Sequence, residues 1–217
     1  TDQASGNTYE VQTSFSIDSV GKDIDFKVID NTGSYTVLGT EYCRNSNDIL
    51  LEAVENYPNG GAGYFKGPTL GFNTDDKSFK ATFRPSSTTP DQPLAISFYF
   101  ITDASSPKVG CGSDTVTKIV TVHSLTSLSF NLRDNYNSEE KPVVLNGTPT
   151  GGVFSSPDNV IINSTTLSPS LTTNFNTNNP LNITYTYTDA NQCTSTLTKT
   201  TKVYKADELI ENLSSLY

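Results

Sequence analysis

The sequence predicts an all-β protein made of tandem sandwich repeats, and three observations lead there. Short runs of alternating apolar and polar residues are separated by turn residues, one layout recurs at a period of about 85 residues, and helix formers are scarce. Of the 217 residues, 31 are Thr, 25 Ser and 20 Asn. Such polarity would read as disorder, except that Val, Ile, Leu, Phe and Tyr recur in ordered alternation throughout. Thr, Val, Tyr, Phe and Ile suit a pleated, half-buried surface, and Gly, Pro, Asn and Asp cut it into short pieces.

Three segments share an alternating strand, an Asp-containing turn and a second alternating strand. They are 9–17 before Asp18, 94–102 before Asp103, and 181–188 before Asp189, so the Asp residues lie 85 and 86 positions apart. The second strands correspond as 24–30, 115–122 and 195–203, with Thr117-Lys118 matching Thr198-Lys199. Upstream, Ile49–Ala53 leads to Gly60-Gly61 and then Tyr64-Phe65-Lys66-Gly67-Pro68. In the same order, Pro142–Gly147 leads to Gly151-Gly152 and then Val153-Phe154-Ser155-Ser156-Pro157. Two independent motifs in one order define a tandem array.

The expected boundaries follow. Residues 1–30 read as the closing hairpin of a truncated repeat, 34–122 and 124–204 as full repeats, and 205–217 as a tail or the start of a next element. With position 1 not Met, that layout reads as a piece of a longer array. The junction Val122–Thr126 is short and carries no Gly/Ser or Pro-rich linker, so neighbours should be closely spaced. Each full repeat supplies six or seven short strands, the pattern of an immunoglobulin-like sandwich. In the first they fall near 34–38, 49–54, 62–66, 78–84, 94–102 and 114–122; in the second near 126–132, 142–146, 152–155, 160–163, 172–176, 181–188 and 195–203. Leu181, Ile183, Tyr185 and Tyr187 share one strand face, expected to be the core side, where the Tyr hydroxyls need partners or a wet rim. There is no Trp, so the antibody-type core marker is missing.

Charge and composition exclude several classes of function. Fourteen Lys and Arg against 23 Asp and Glu give a net charge of −9, opposite to a nucleic-acid footprint. No apolar run reaches the roughly 18 residues that a membrane span needs. His123 is the only histidine and lies at the expected junction, with no spacing to suggest a triad or a zinc site. Asp75-Asp76 and Glu139-Glu140 are neighbours in polar loops rather than an opposed acid–base pair. No cofactor is implied. Calcium at the recurring Asp18, Asp103 and Asp189 turns is the one alternative, set against Asp capping its own backbone.

Tyr42-Cys43 before an apolar strand, the Gly-Gly and Phe-x-Gly-Pro motif, and Ile183-Thr-Tyr-Thr-Tyr-Thr-Asp-Ala-Asn-Gln-Cys193 resemble a known family. They are similar to the immunoglobulin-like repeats of secreted Bacteroidota surface proteins, which include large gliding-motility adhesins exported by the type IX secretion system. The resemblance covers roughly 34–204, and the second repeat departs from it with Tyr136-Asn137 near the place of Tyr42-Cys43. It implies a disulfide between Cys43 and Cys111, 68 positions apart, contributing roughly 4 kcal/mol, and an extracellular or cell-surface location. Two free buried cysteines remain the alternative, because spacing alone does not establish disulfide geometry. Cys193 is then left as a buried small side chain or a site of intermolecular linkage.

Two functions compete. One is a non-catalytic structural or adhesive segment of a large bacterial cell-surface protein, a gliding or attachment adhesin meeting a surface polysaccharide or other target beside neighbouring repeats. The other is a carbohydrate-binding accessory of a secreted hydrolase, for which Tyr57, Tyr64, Phe65 and Phe72 around the first Gly-Gly loop are the candidate sugar contacts. Stacked sandwiches should each add roughly 30–40 Å of length. Small-angle scattering is therefore expected to report an elongated particle, and a compact one would contradict the tandem arrangement.

Overall fold

The computed structural model describes residues 24–54, 61–69, 71–74, 79–102, 114–175 and 179–205. The first half supplies β1 (Asp25–Ile29), β2 (Tyr35–Thr36), β3 (Glu41–Cys43), β4 (Ile49–Val54), β5 (Gly61–Lys66), β6 (Phe72–Thr74), β7 (Lys80–Phe83), β8 (Pro93–Thr102) and β9 (Asp114–His123). The second supplies β10 (Ser129–Phe130), β11 (Asn135–Asn137), β12 (Val143–Val144), β13 (Gly147–Thr148), β14 (Val153–Ser155), β15 (Ile161–Ile162), β16 (Thr166–Leu167), β17 (Leu181–Thr188) and β18 (Thr194–Tyr204). Among the described residues the only helical turns are short 3-10 pieces, Pro85–Ser87 and Pro169–Leu171. The described residues are all-β, as the sequence predicts, and their sheets build immunoglobulin-like sandwiches.

The chain divides into two compact units. The first holds the described residues of Thr1–Leu38, Ile49–Phe83 and Ala95–Ile119; the second holds those of Gly39–Asp48, Arg84–Leu94 and Val120–Tyr217. This differs from the expected boundaries in two ways. Residues 25–29 do not close a preceding repeat: β1 pairs antiparallel with β4 from Asp25↔Val54 to Val28↔Leu51, and Phe26 is fully buried in the first unit. An alternating run can be the opening or the closing strand of a sandwich, and only its pairing partner tells which. Segments 39–48, 84–94 and 120–122, expected in the first repeat, gather with the second unit. Residues 1–23 and 206–217, which carry the expected early hairpin and tail, lie outside the described residues.

In the first unit, the sheet β2-β1-β4-β7-β6 faces β5 and β8 across an aromatic core. Phe26 meets Phe65 edge to face at 5.3 Å and 82°, and Phe65 packs on Phe98 at 4.9 Å. The second unit repeats this geometry. Phe130 meets Phe154 at 5.2 Å and 81°, and Phe154 packs on Tyr185 at 4.6 Å. Here the order β11-β18-β17-β14 faces the short strands β12-β16-β15 and β10-β13. Leu181, Ile183 and Tyr185 are buried and Tyr187 is half-buried, the face that strand alternation assigns to the core.

Two glycines make room for these rings. A Cβ at Gly63 would lie 2.4 Å from the Phe98 ring, and one at Gly152 would lie 2.4 Å from the Thr186 carbonyl and 2.5 Å from the Tyr185 ring. The structural counterpart of Gly152 is thus Gly63, two places after the Gly60-Gly61 pair matched by sequence. The expected strand at 172–176 is absent over 172–175. Pro169 opens a 3-10 turn, and the Thr172 hydroxyl accepts the Asn174 N–H at 3.0 Å, satisfying locally a donor that a strand would give to its neighbour.

The Tyr185 hydroxyl, buried at its ring, donates to the Pro149 carbonyl and accepts the Gly152 N–H at 2.9 Å. Tyr185→Phe strips both partners while keeping the ring. The variant is expected to lose about 1–3 kcal/mol, read as a lower urea midpoint.

Candidate functional site: a cross-linked turn cluster

The second unit gathers three chain segments around a disulfide. Strand β3 runs parallel to the end of β9, with Glu41↔Thr121, Tyr42↔Val122 and Cys43↔His123 in register. The Tyr42 hydroxyl accepts the Gly39 N–H at 2.9 Å, and burial pushes its pKa up. A tight turn then fixes Cys43: its N–H donates to the Ser46 hydroxyl at 3.1 Å, the Ser46 N–H returns to the Cys43 carbonyl, and the Arg44 N–H donates to the His123 carbonyl, both at 2.9 Å.

The hairpin turn between β17 and β18 is equally local. One Asp189 carboxylate oxygen accepts the N–H groups of Asn191 and Cys193, each at 2.9 Å, and Gln192 takes a left-handed φ of 62°. Cys193 is fully buried at its end. The two turns meet: Cys43 and Cys193 form a disulfide with Cα atoms 5.4 Å apart, closing 150 residues. Asn45 Nδ2 donates to the Thr194 carbonyl at 3.0 Å, and the Thr126 hydroxyl reaches the other Asp189 oxygen at 3.4 Å.

This corrects the expected pairing. Cys43 bonds to Cys193, not to Cys111, which lies outside the described residues. The pairing that the resemblance implies lies within one repeat, whereas β3 presents its cysteine to the hairpin of the following repeat. Register carries the missing signal. Tyr136 pairs with Val203 in β18 as Tyr42 pairs with Val122 in β9, so Asn137 stands where Cys43 does. The second repeat therefore has a hairpin cysteine and no strand cysteine of its own to meet it.

His123 sits in an ionic cluster beside this junction. Its Nε2 is 2.5 Å from Glu41 Oε2 and its Nδ1 is 3.8 Å from Asp91 Oδ1. Bonds from the Ser124 hydroxyl and N–H, with His123 nearby, hold the Asp91 carboxyl below the usual carboxylate range. Both ring nitrogens face carboxylates, an arrangement that joins segments rather than activating a hydroxyl or thiol. Among the described residues, no group of three or more His, Cys, Asp and Glu could hold a metal ion. Asp189, one of the three recurring aspartates considered for calcium, spends its carboxylate on the turn and Thr126; Asp18 and Asp103 lie outside the described residues.

The expected sugar-contact aromatics do not form one surface. Phe65 is buried in the core, which removes it as a contact, and half-buried Phe72 packs against it at 6.4 Å. Tyr64 is stacked on Tyr99 across β5 and β8, with centroids 5.1 Å apart and planes 10° apart. One face of Tyr64 is therefore already taken. Tyr57 lies outside the described residues.

No known protein family matches the chain, and no curated protein does. Among solved structures it is similar to a Ca2+-stabilized adhesin by which an Antarctic bacterium binds ice, at 14% identity and a TM-score of 0.37 over 87% of this chain and 50% of that one. The insect immune protein hemolin matches at 11% identity and 0.35, over 81% and 49% of the two chains. A 1.5-MDa bacterial ice-binding adhesin matches at 16% and 0.32, over 84% and 64%. The chain spans about half the length of the first two.

Peptide mapping without reduction should recover the Cys43 peptide joined to the Cys193 peptide; a Cys43–Cys111 product would refute the pairing. Closing 150 residues is worth about 5 kcal/mol in the chain-entropy model. Cys193→Ser is expected to lower unfolding free energy by up to about that amount, with reductant then having no further effect on the variant.

Proposed function

We propose that the chain is a non-catalytic structural and adhesive segment of a large bacterial cell-surface protein, a gliding or attachment adhesin whose sandwiches serve as braced spacers. The observation that carries this reading is the disulfide joining the Tyr42-Cys43 strand of one sequence repeat to the hairpin turn of the next. A disulfide belongs to an oxidising compartment outside the cytoplasm. A surface tether also has to hold its length under drag, and a covalent bond across 150 residues withholds that stretch from extension. The repeated core geometry supports the same reading, because the two units share one aromatic core design, as repeats of an array do. The resemblance to Bacteroidota gliding adhesins supplies the gliding and type IX export parts of the proposal.

Single-molecule pulling tests the bracing directly. Reduction should release on the order of 500 Å of additional contour length, the extended span of 150 residues; equal extension with and without reductant would refute it. Antibody raised against this chain should label intact cells of the producing bacterium and reduce their attachment to a surface. Labelling only after lysis would overturn the surface assignment.

A further inference from the structure

The repeated Thr-Lys motif places one lysine in each unit on the same target, and the two lysines differ in a single partner. In the first unit, Lys118 Nζ donates to the Phe26 carbonyl at 2.6 Å, lies 4.7 Å from the centre of the Phe26 ring, and pairs with Asp25 Oδ1 at 2.6 Å. In the second, Lys199 Nζ donates to the Phe130 carbonyl at 2.5 Å and lies 4.9 Å from the centre of the Phe130 ring. The residue before Phe130 is Ser129, so the carboxylate that completes the first site has no counterpart in the sequence of the second.

Beside Lys199 the surface opens into a hollow of about 460 Å3. Phe130, Leu132 and Val143 line it with apolar surface, Asn131 adds an amide, and Arg133 and Lys199 add cations. Arg133 is already engaged, stacked 4.2 Å from the Tyr136 ring centre and paired with Glu140. Lys199 is solvent-exposed, and its ammonium has two further N–H donors beyond the one given to Phe130. In a chain of net charge −9, a cation-lined hollow with an apolar floor is complementary to an anion carrying an apolar face.

We propose that this hollow binds a carboxylate-bearing sugar, a uronic acid residue of an acidic polysaccharide, with its carboxylate on Lys199 where Asp25 sits on Lys118. The sugar ring's C–H face lies on Leu132 and Val143, and its hydroxyls meet Asn131. The volume accommodates one or two sugar rings, and the apolar side chains beside the Asn131 amide suit a ring that carries both a C–H face and hydroxyls. This names a target for the adhesive reading and rests on that reading only for the ligand's natural source.

Calorimetric titration of the whole chain with an oligogalacturonate tests it, beside the methyl-esterified oligosaccharide and an acidic peptide. The acid form should bind, and Lys199→Gln should weaken binding about tenfold or more, the worth of one charge-assisted hydrogen bond. Ser129→Asp should abolish binding by supplying the missing carboxylate internally while leaving the unfolding midpoint equal or higher. Equal binding of the ester, undiminished binding by both variants, or tighter binding of the peptide would each overturn the assignment. These outcomes are separate from the pulling experiment, whose failure would sink the bracing and leave a sugar-acid site standing.

Discussion

Both sandwiches depend on one edge-to-face aromatic contact, which ties β1 to β5 in the first unit and β10 to β14 in the second. Only 34% of the chain is apolar, so there is little material for a core, and much of it is concentrated in these rings. Phe26 on Phe65 and Phe130 on Phe154 are geometrically interchangeable, and a third ring, Phe98 or Tyr185, closes each cluster. Such contacts contribute roughly 0.5–1.5 kcal/mol beyond the area they bury. The same phenylalanines anchor the lysines: each amine covers a ring and satisfies the carbonyl of the residue bearing it. Apolar burial and backbone satisfaction thus converge on one residue per unit.

The disulfide joins two turns that each carry their own hydrogen bonds. Asp189 caps the hairpin turn and Ser46 fixes the turn after Cys43, so each sulfur is presented from a segment already restrained by its own hydrogen bonds. Little native-state freedom remains for the bond to remove, and its contribution falls on the unfolded chain, where it closes a long loop. Around it the His123 carboxylate cluster and the Asn45–Thr194 contact add polar links that water could otherwise replace. The covalent bond supplies what a Ser-, Thr- and Asn-rich surface lacks.

How much of this was legible in the sequence varied with the range of the interaction that decides it. The long hairpin strands were readable because alternation and a closing Asp turn are local; β17 occupies the residues expected and β8 adds one, Pro93. The core face of β17 followed from the same alternation. The role of Ile24–Asp30 was not readable, because its alternation fits an opening or a closing strand and its partner β4 is remote. The strand expected at 172–176 failed for a local reason, a Pro-led 3-10 turn with a Thr cap, which β propensity does not register. The cysteine pairing failed for a distant one, since three cysteines admit three pairings and only the β3–β9 register shows which way Cys43 is presented.

The two repeats agree in their core rings, the lysines seated on them and their 3-10 turns, and diverge at rim positions, and that division separates fold from function. Phe26 and Phe130, Phe65 and Phe154, Lys118 and Lys199, and the 3-10 turns at Pro85 and Pro169 are retained in kind, because each fills space or satisfies a buried group. Cys43 against Asn137 and Asp25 against Ser129 differ at positions that face out of the core. A change there leaves the sandwich intact and alters what the rim can bond to. In the first case it makes one strand able to form a cross-link and its counterpart unable to. In the second it fills one lysine site with the chain's own carboxylate and opens the other to a carboxylate from outside. An array of near-identical blocks can therefore vary its links and its ligands without redesigning its cores.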